Sequence, residues 1–353
     1  MKIGMWSLDS KWPNLALMKL STYHKARGDD VEIYSGELYN DFYDKVYISK
    51  VFKGINVPGM HELPTIQKNW DIGGSGYDLV KTLPDNIEHL MPDYSLYNCN
   101  YSLGFTTRGC FRHCEFCIVP SKEGKLRRNA DIYEFWDRRH KKIMLLDNNL
   151  LGLPEHFFKI TEQIQKENLK VDFNQGLDIR IITEPIVKRL SLLKTGPKLR
   201  FAWDNPRDEM HILKGIKLLL RYIRPGKLMF FVLVGFNSTL EEDLHRIKVL
   251  RSYKIDPFVM VYNKQGNISV LSRLGQWNNR YFLKNLSFFE FLDIKGYQAL
   301  DKSRKKISWR DLTKNNTLVK IRPTTEGYRR KRAQAKGNLE LDLNYRLRSG
   351  RRT

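Results

Sequence analysis

From Tyr101 to Asn263 the sequence alternates short apolar runs with amphipathic stretches, and this alternation restricts the fold more than any other feature. The runs are Tyr101–Thr107 (YSLGFTT), Lys142–Asn149 (KIMLLDNN), Lys170–Gly176 (KVDFNQG), Leu199–Asn205 (LRFAWDN), Leu228–Phe236 (LMFFVLVGF) and Asp256–Asn263 (DPFVMVYN). Their continuous apolar character suits strands buried on both faces. The stretches between them read as helices. One starts near Pro154 with Phe157, Ile160 and Ile164 on one side. Another follows Thr183, which can cap it, with Pro185 in its first turn. A third covers Glu209–Ile223. A fourth opens at Ser238-Thr239-Leu240-Glu241, a capping-box pattern, and carries Leu240, Leu244, Ile247 and Leu250 at helical spacing. Six such units imply an α/β fold with a parallel sheet covered by helices. On periodicity alone a flat doubly wound sheet and a curved barrel fit equally well.

Parallel α/β folds bind ligands at the carboxyl ends of their strands. The first of these ends runs into Phe105–Pro120, FTTRGCFRHCEFCIVP, which holds three of the chain's four cysteines, Cys110, Cys114 and Cys117, as C-x3-C-x2-C. Three thiolates in one short loop can hold an iron–sulfur cluster and leave one iron without a protein ligand. The same cysteines with His113 could instead supply four ligands to zinc. His113 adjoins Cys114 directly, so both side chains would have to turn to one metal from neighbouring residues, whereas structural zinc sites normally draw on separated ligand pairs.

TTRGCFRHCEFC resembles the cluster loop of the radical S-adenosylmethionine (SAM) enzymes, with Phe116 as the aromatic before the last cysteine. The resemblance implies a [4Fe–4S] cluster on Cys110, Cys114 and Cys117, with SAM chelating the open iron through its amino and carboxylate groups. An electron from a reducing donor such as a flavodoxin or ferredoxin would then split the S–C5′ bond and give a 5′-deoxyadenosyl radical. It also implies a partial (β/α)6 barrel over Tyr101–Asn263, closed by Leu271–Asn285 and the segment after it. LLDNN stands where the family binds the SAM amino group; it lacks the usual Gly-Gly-Glu-like residues, but Asp147 and Asn149 offer acceptor oxygens. Gly235 would let the fifth strand approach the adenine, with Phe116 beside it. Arg180 can hold the SAM carboxylate bidentately or pair with Asp178. Gln175 and Asp204, at further strand ends, complete the expected cofactor-binding set. Asn149 and Asn205 read equally well as helix caps, and Arg108 beside the loop carries the same ambiguity.

Residues 1–95 suggest a small Rossmann-like α/β domain. Lys2–Ser7 reads as a strand, Pro13 opens a helix that stops at Gly28, Val31–Ser35 and Lys45–Phe52 read as strands, and Asp71–Asp78 (DIGGSGYD) as a glycine turn. GGSG is not the GxGxxG nucleotide fingerprint. The segment resembles a degenerate form of the cobalamin-binding-like domain that precedes some radical SAM barrels. The working form carries Asp-x-His-x-x-Gly; here Asp9-Ser10-Lys11-Trp12-Pro13-Asn14 puts Lys11 in the histidine's place, and a protonated lysine cannot ligate cobalt. Cobalamin is therefore not expected, and His24 reads as a surface or packing histidine.

Composition settles what remains. Hydrophobic content of 41% and seven tryptophans exclude global disorder. No run is long enough to span a membrane, the N-terminus lacks the build of a signal peptide, and four cysteines with three clustered suit the reducing cytoplasm. After the triad only Cys99 remains, which is too few for a second Cys-held cluster, as in methylthiotransferases, or for a pair of catalytic cysteines. The expectation is single-cluster hydrogen abstraction with SAM as cosubstrate or regenerated cofactor. Of the net charge of +22, +12 falls in residues 301–353, where 17 Lys and Arg stand against 5 Asp and Glu, with clusters at Arg329–Arg332 and Arg346–Arg352. Such a tail attracts nucleic acid or simply stays solvated. The expected division is thus 1–95, a radical SAM barrel over 96–265, a barrel-closing helical segment over 266–300, and a basic tail over 301–353. The competing reading is a non-catalytic nucleic-acid-binding protein whose triad holds zinc or a cluster.

Overall fold

The computed structural model describes residues 1–34, 42–52, 68–262, 270–280, 286–300, 305–309 and 321–323. They belong to two compact units: Met1–Ala202 with Met210–Leu228, and Trp203–Glu209 with the chain from Met229 onward.

The first unit opens with strand β1 (Lys2–Ser7), helix α1 (Leu15–Lys25), β2 (Asp30–Ile33), β3 (Lys45–Ser49), β4 (Trp70–Gly73) and the single turn α2 (Asp85–Glu88). The four strands form one parallel sheet in the order β2-β1-β3-β4. Ile3 and Met5 of β1 pack with Leu17 and Leu20 of α1 and with Ile87, while Val46, Ile48 and Ile72 pack with Tyr34 and Tyr43. α1 begins two residues after Pro13, because Asn14 caps it by accepting a bond from the Leu17 amide. Trp70–Gly73, whose last three residues read as turn in the sequence, is paired along β3, so the glycine turn comes after it. The loop Asp9–Asn14 is used structurally: the Asp9 carboxylate accepts from the amides of Val51 and Phe52 at 2.6–3.0 Å, and Lys11 is exposed. His24 is buried between Asp29 (2.6 Å) and the Tyr47 hydroxyl (3.0 Å), a packing histidine.

The same unit continues with β5 (Ser102–Gly104), β6 (Thr107–Arg108), the turn α3 (Val119–Lys122), β7 (Arg127–Arg128), β8 (Lys142–Leu145), α4 (Pro154–Lys166), β9 (Lys170–Phe173), α5 (Glu184–Leu192), β10 (Leu199–Ala202) and α6 (Glu209–Leu219). Strands β5, β8 and β9 are parallel in that order, and a parallel bridge joins Leu177, just past β9, to Phe201 of β10. α4 starts at Pro154 and buries Phe157, Ile160 and Ile164. Thr183 stands at the cap position of α5, but only its carbonyl is used, by the Val187 amide. Each strand ends before the polar residues of its sequence run, which leaves those residues in the connections beyond the sheet edge.

In the second unit β11 (Leu228–Val234) and β12 (Asp256–Val261) pair in parallel from Met229–Asp256 to Val234–Val261. Between them, α7 (Leu240–Ser252) carries its capping box on Thr239 and Glu242, one residue later than Ser238 and Glu241. Both offsets match the pattern; Ser238 is instead turned onto Asp243 at 2.6 Å. Asp243 in turn pairs with the buried Arg246, which donates to the carbonyls of Trp203, Asp204 and Leu233 and so ties α7 to the strand ends. α8 (Val270–Asn279), α9 (Phe288–Ile294) and an antiparallel sheet of β13 (Tyr297–Leu300), β14 (Lys306–Ile307) and β15 (Ile321–Pro323) complete it. Two of these short strands come from the segment read as a basic tail. The charge clusters at Arg329–Arg332 and Arg346–Arg352, and residues 281–285 of the barrel-closing stretch, lie outside the described residues. Among the described residues no helix is long and apolar enough to cross a membrane. The chain is thus a mixed α/β protein built on parallel sheets.

Candidate metal centre

The cysteine loop is anchored before it begins. β5 ends at Gly104, and Thr106 and Thr107, just after Phe105, are fully buried against Asp147, two residues past the end of β8. One Asp147 oxygen accepts from the Thr106 hydroxyl (2.7 Å), the Thr107 amide (2.5 Å) and the Thr107 hydroxyl (2.6 Å). The other accepts from the Thr106 amide at 3.3 Å. Burial pushes the Asp147 carboxyl up from its ordinary pKa, against the pull of these donors. His156 of α4 lies 3.0 Å from the Thr106 carbonyl, and Asn148 accepts from the Gly109 amide at 3.2 Å. Gly109 has φ +77°, and a Cβ there would collide with the carbonyl oxygens of Gly124 and Lys125. The β6–β7 ladder and a bond from the Cys110 amide to the Gly124 carbonyl (3.3 Å) close residues 110–124 into an excursion with a fixed base.

Cys110, Cys114 and Cys117 all sit half-buried in that excursion. The Cys110 sulfur faces two N–H donors, the Arg112 amide at 3.3 Å and the Asn149 side-chain amide at 3.5 Å. The Cys117 amide bonds the Cys114 carbonyl at 2.9 Å. Among the described residues no three His, Cys, Asp or Glu side chains are drawn into a metal-binding group, so the thiols are not gathered about one point. The donor set nevertheless fits an iron–sulfur cluster: three thiols share one anchored loop, and N–H groups face a sulfur as they do around a thiolate ligand. His113 is exposed. Cys99 packs beside Tyr94 and Leu103 in a separate apolar cluster, and burial pushes its thiol up.

Beside Cys110 the structure builds a hub on Asp178, whose side chain is only 6% exposed. Arg180 forks onto it at 2.8 and 3.1 Å, Arg112 reaches it from the cysteine loop at 3.0 Å, and the Asn149 amide lies 3.4 Å away. Burial alone would raise the Asp178 carboxyl; the Arg180 hydrogen bonds and the charges of Arg180 and Arg112 outweigh it and hold the group below its ordinary value. Asn149 is buried and stands at the cap position of the short turn Leu150–Gly152, where only its backbone carbonyl is used, by the Gly152 amide at 3.1 Å; its side-chain carbonyl oxygen has no hydrogen-bond partner among the described residues.

The sequence-derived residues therefore separate. Asn149, Asp178 and Arg180 come together with Cys110. Asp147 stands at the base of the loop, its carboxylate taken up by the two threonines. Gln175 is exposed on the turn after β9, and Phe116 is half-buried within the loop. Asp204 and Gly235 belong to the second unit, where Asp204 accepts from the Leu233 amide at 3.2 Å. Gly235 has φ +75°, and a Cβ there would strike Leu271, so the glycine has a packing reason of its own. Asn205 is a cap, accepting from the Arg207 amide. Arg108 pairs with Glu88 (2.5 Å) and Glu123 (3.2 Å), and its guanidinium lies 3.7 Å from the Phe105 ring centre. Sequence alone does not single out Arg112, the threonine pair or His156; Arg112 lies two residues after Cys110, but spacing does not show that it turns to Asp178.

A parallel α/β scaffold with three thiols on a loop leaving its first β/α strand supports an enzyme of the radical SAM class. Comparison with known proteins adds names to that class. The chain is similar to tRNA-2-methylthio-N(6)-dimethylallyladenosine synthases: 28% identical over 211 residues to that of Flavobacterium psychrophilum, covering 55% of this chain and 40% of the relative. The match to the Sulfurihydrogenibium sp. enzyme is 24% over 244 residues, covering 61% and 55%, and that to Flavobacterium johnsoniae is 27% over 163 residues, covering 42% and 31%. The chain thus spans about a third to a half of the length of these relatives. No family model matches the chain.

Proposed function

We propose that the protein is a radical SAM enzyme with a single [4Fe–4S] cluster on Cys110, Cys114 and Cys117, acting on RNA. The observation that carries this reading is Asn149. Its amide faces the Cys110 sulfur while its buried carbonyl oxygen has no partner among the described residues. A buried acceptor without a donor costs free energy unless a ligand supplies one, and the SAM ammonium is such a donor. The cluster, when bound, supplies the electron that cleaves SAM to methionine and a 5′-deoxyadenosyl radical.

The chain's own residues divide the remaining work. Asp147 holds the loop through Thr106 and Thr107, Asn149 orients the ammonium, and the Arg112–Asp178–Arg180 hub presents cationic groups toward the SAM carboxylate. Phe116 and Gln175, in the first unit, remain the proposed contacts of the adenosine portion; Asp204 and Gly235, in the second unit, are kept as proposed cofactor-binding residues on their strand ends alone. We place these residues on a partial (β/α)6 barrel over 96–265, behind a Rossmann-like domain over 1–95 that holds no cobalamin, with 266–300 closing the barrel and 301–353 as a basic tail. A cytoplasmic setting with a flavodoxin or ferredoxin as donor suits the thiols.

RNA as substrate is supported by the names of the relatives, which act on a tRNA adenosine, and by the +12 carried by the last 53 residues. The methylthio chemistry in those names is not carried over. Beyond the triad this sequence has only Cys99, packed into an apolar cluster, so it offers no second set of thiols for a further cluster. Iron and sulfide content after anaerobic reconstitution tests the reading. Wild type and Cys99→Ala should both be brown and hold a full cluster, while each triad Cys→Ala variant should lose it. A colourless wild type that holds zinc would replace the enzyme with a metal-bearing nucleic-acid-binding protein.

A further inference from the structure

The first unit holds a second concave site, which none of the cysteines lines. A cavity of about 580 Å3 opens between α1, the ends of β3 and β4, the Lys81–His89 segment and the base of the β6–β7 hairpin. Ligand and cofactor pockets run from about 300 to 1,000 Å3. Ser49 and Gly73, the last residues of β3 and β4, border it, which is the edge where parallel sheets take ligands.

Its walls are of two kinds. Leu15, Leu20, Leu83, Ile87 and Phe105 make an apolar side, while Lys81, Lys122, Arg127 and Arg128 bring cationic groups to the rim. Most of the carboxylates on the walls are already engaged: Asp71 by Lys81, Glu88 by Lys19 and Arg108, and Glu123 by Arg108. Asp85 is the remaining acid. Lys122 instead donates to the carbonyl oxygens of Lys81 (2.6 Å) and Asp78 (3.4 Å), and Arg127 to that of Glu123 (2.6 Å). Carbonyls position a cation without neutralising it. Arg128 pairs with Glu155, but that carboxylate is 90% exposed and the pair is screened by water. The rim therefore carries an excess of positive charge beside an apolar wall. The glycines after β4 are not a phosphate loop, because Gly74 and Gly76 are pressed against the backbone of Lys50 and Phe52.

We infer that this cavity binds a nucleotide, its base against the apolar wall and its phosphate on Lys122, Arg127 and Arg128. The nucleotide can be a unit of single-stranded RNA or a free nucleotide; the former rests on the function proposed above and gives its substrate a second point of attachment. Arg108 lines the cavity, stacks on Phe105 and directly precedes Gly109, where the cysteine excursion starts. A nucleotide held here is in contact with the strand that anchors the cluster loop.

Ala16, half-buried on α1, lines the cavity, and Ala16→Trp fills it. Thr82→Trp at the exposed mouth does the same with less demand on folding. The experiment titrates full-length, anaerobically reconstituted protein into a fluorescent short single-stranded oligoribonucleotide at several salt concentrations, with AMP as competitor. Loss of the base site in either tryptophan variant should weaken RNA binding about tenfold with the salt slope unchanged. Arg127→Ala with Arg128→Ala should flatten the log–log slope by about 0.7 for each phosphate no longer neutralised. AMP that competes identifies a free-nucleotide site; AMP that does not, while the tryptophan variants lose RNA, identifies a site for the RNA chain. RNA binding equal to wild type in both tryptophan variants, with no AMP binding, overturns the inference. SAM cleavage measured in the same samples keeps the two proposals apart. Cleavage without cavity-dependent binding leaves the enzyme standing, and cavity-dependent binding by a protein that holds no cluster leaves the site standing.

Discussion

Asp147 shows how much of the centre rests on single side chains. Four donors from Thr106 and Thr107 converge on its buried carboxylate. Asp147→Asn sets an amide NH2 against hydroxyl and amide donors, and a buried donor left without its acceptor costs about 1–3 kcal/mol. The expected outcome is a lower denaturation midpoint together with reduced iron retention, read by urea titration and iron assay. Asn149→Ala should behave differently, keeping its iron while binding SAM about tenfold more weakly, since a hydrogen bond to a charged donor is worth about 1.5–3 kcal/mol. Equilibrium binding of SAM to the reconstituted variant decides this. Asp178 adds a pH dependence. Its folded pKa is depressed by Arg180 and Arg112, so its stabilisation is present above the ordinary carboxylate pKa and is lost as pH falls through the lower folded value. The stability gap between wild type and Asp178→Asn should hold from neutrality down and shrink below about pH 4. The cysteine triad was legible because its spacing is local. The partners of Asp147 were not, because an acid at a strand end looks the same whether it meets a cofactor or anchors the neighbouring strand's loop, and the forty residues between Asp147 and Thr107 hide which.

At the scale of elements, periodicity read well and boundaries less so. Phe157, Ile160 and Ile164 placed α4 because a 3.6-residue stripe leaves little choice of face. The caps slipped by a residue: Asn14 took the place expected of Pro13, and Thr239 that of Ser238. Ser238 and Thr239 both stand three residues before a glutamate, and what separates them is tertiary, since Ser238 is drawn to Asp243. Thr239→Ala should therefore cost about 1 kcal/mol of stability. The discriminating measurement is chemical denaturation of Thr239→Ala beside Glu241→Ala; equal losses in both would mean the capping box is shared. Short pieces escaped the sequence altogether. β6 and β7 have two residues each and no hydrophobic pattern, and β14 and β15 are hidden in a segment dominated by charge.

For the whole molecule, continuous apolar strands separated by amphipathic helices were enough to give parallel α/β sheets, but not their closure, which depends on curvature that no local pattern records. Charge was legible only as an asymmetry toward the C-terminus. The β6–β7 hairpin, with Lys122, Lys125, Arg127 and Arg128 in seven residues, does not stand out in the sequence because its charge is modest until folding sets it beside a cavity. The central claim is that the cysteine loop supports reductive cleavage of SAM, and its most direct measurement is 5′-deoxyadenosine formation by the anaerobically reconstituted full-length protein with SAM and a strong reductant. The expected result is 5′-deoxyadenosine from wild type and from Cys99→Ala, and none from Cys114→Ala. Its absence from a wild-type protein that carries a full complement of iron and sulfide, or its formation by Cys114→Ala, would contradict the claim.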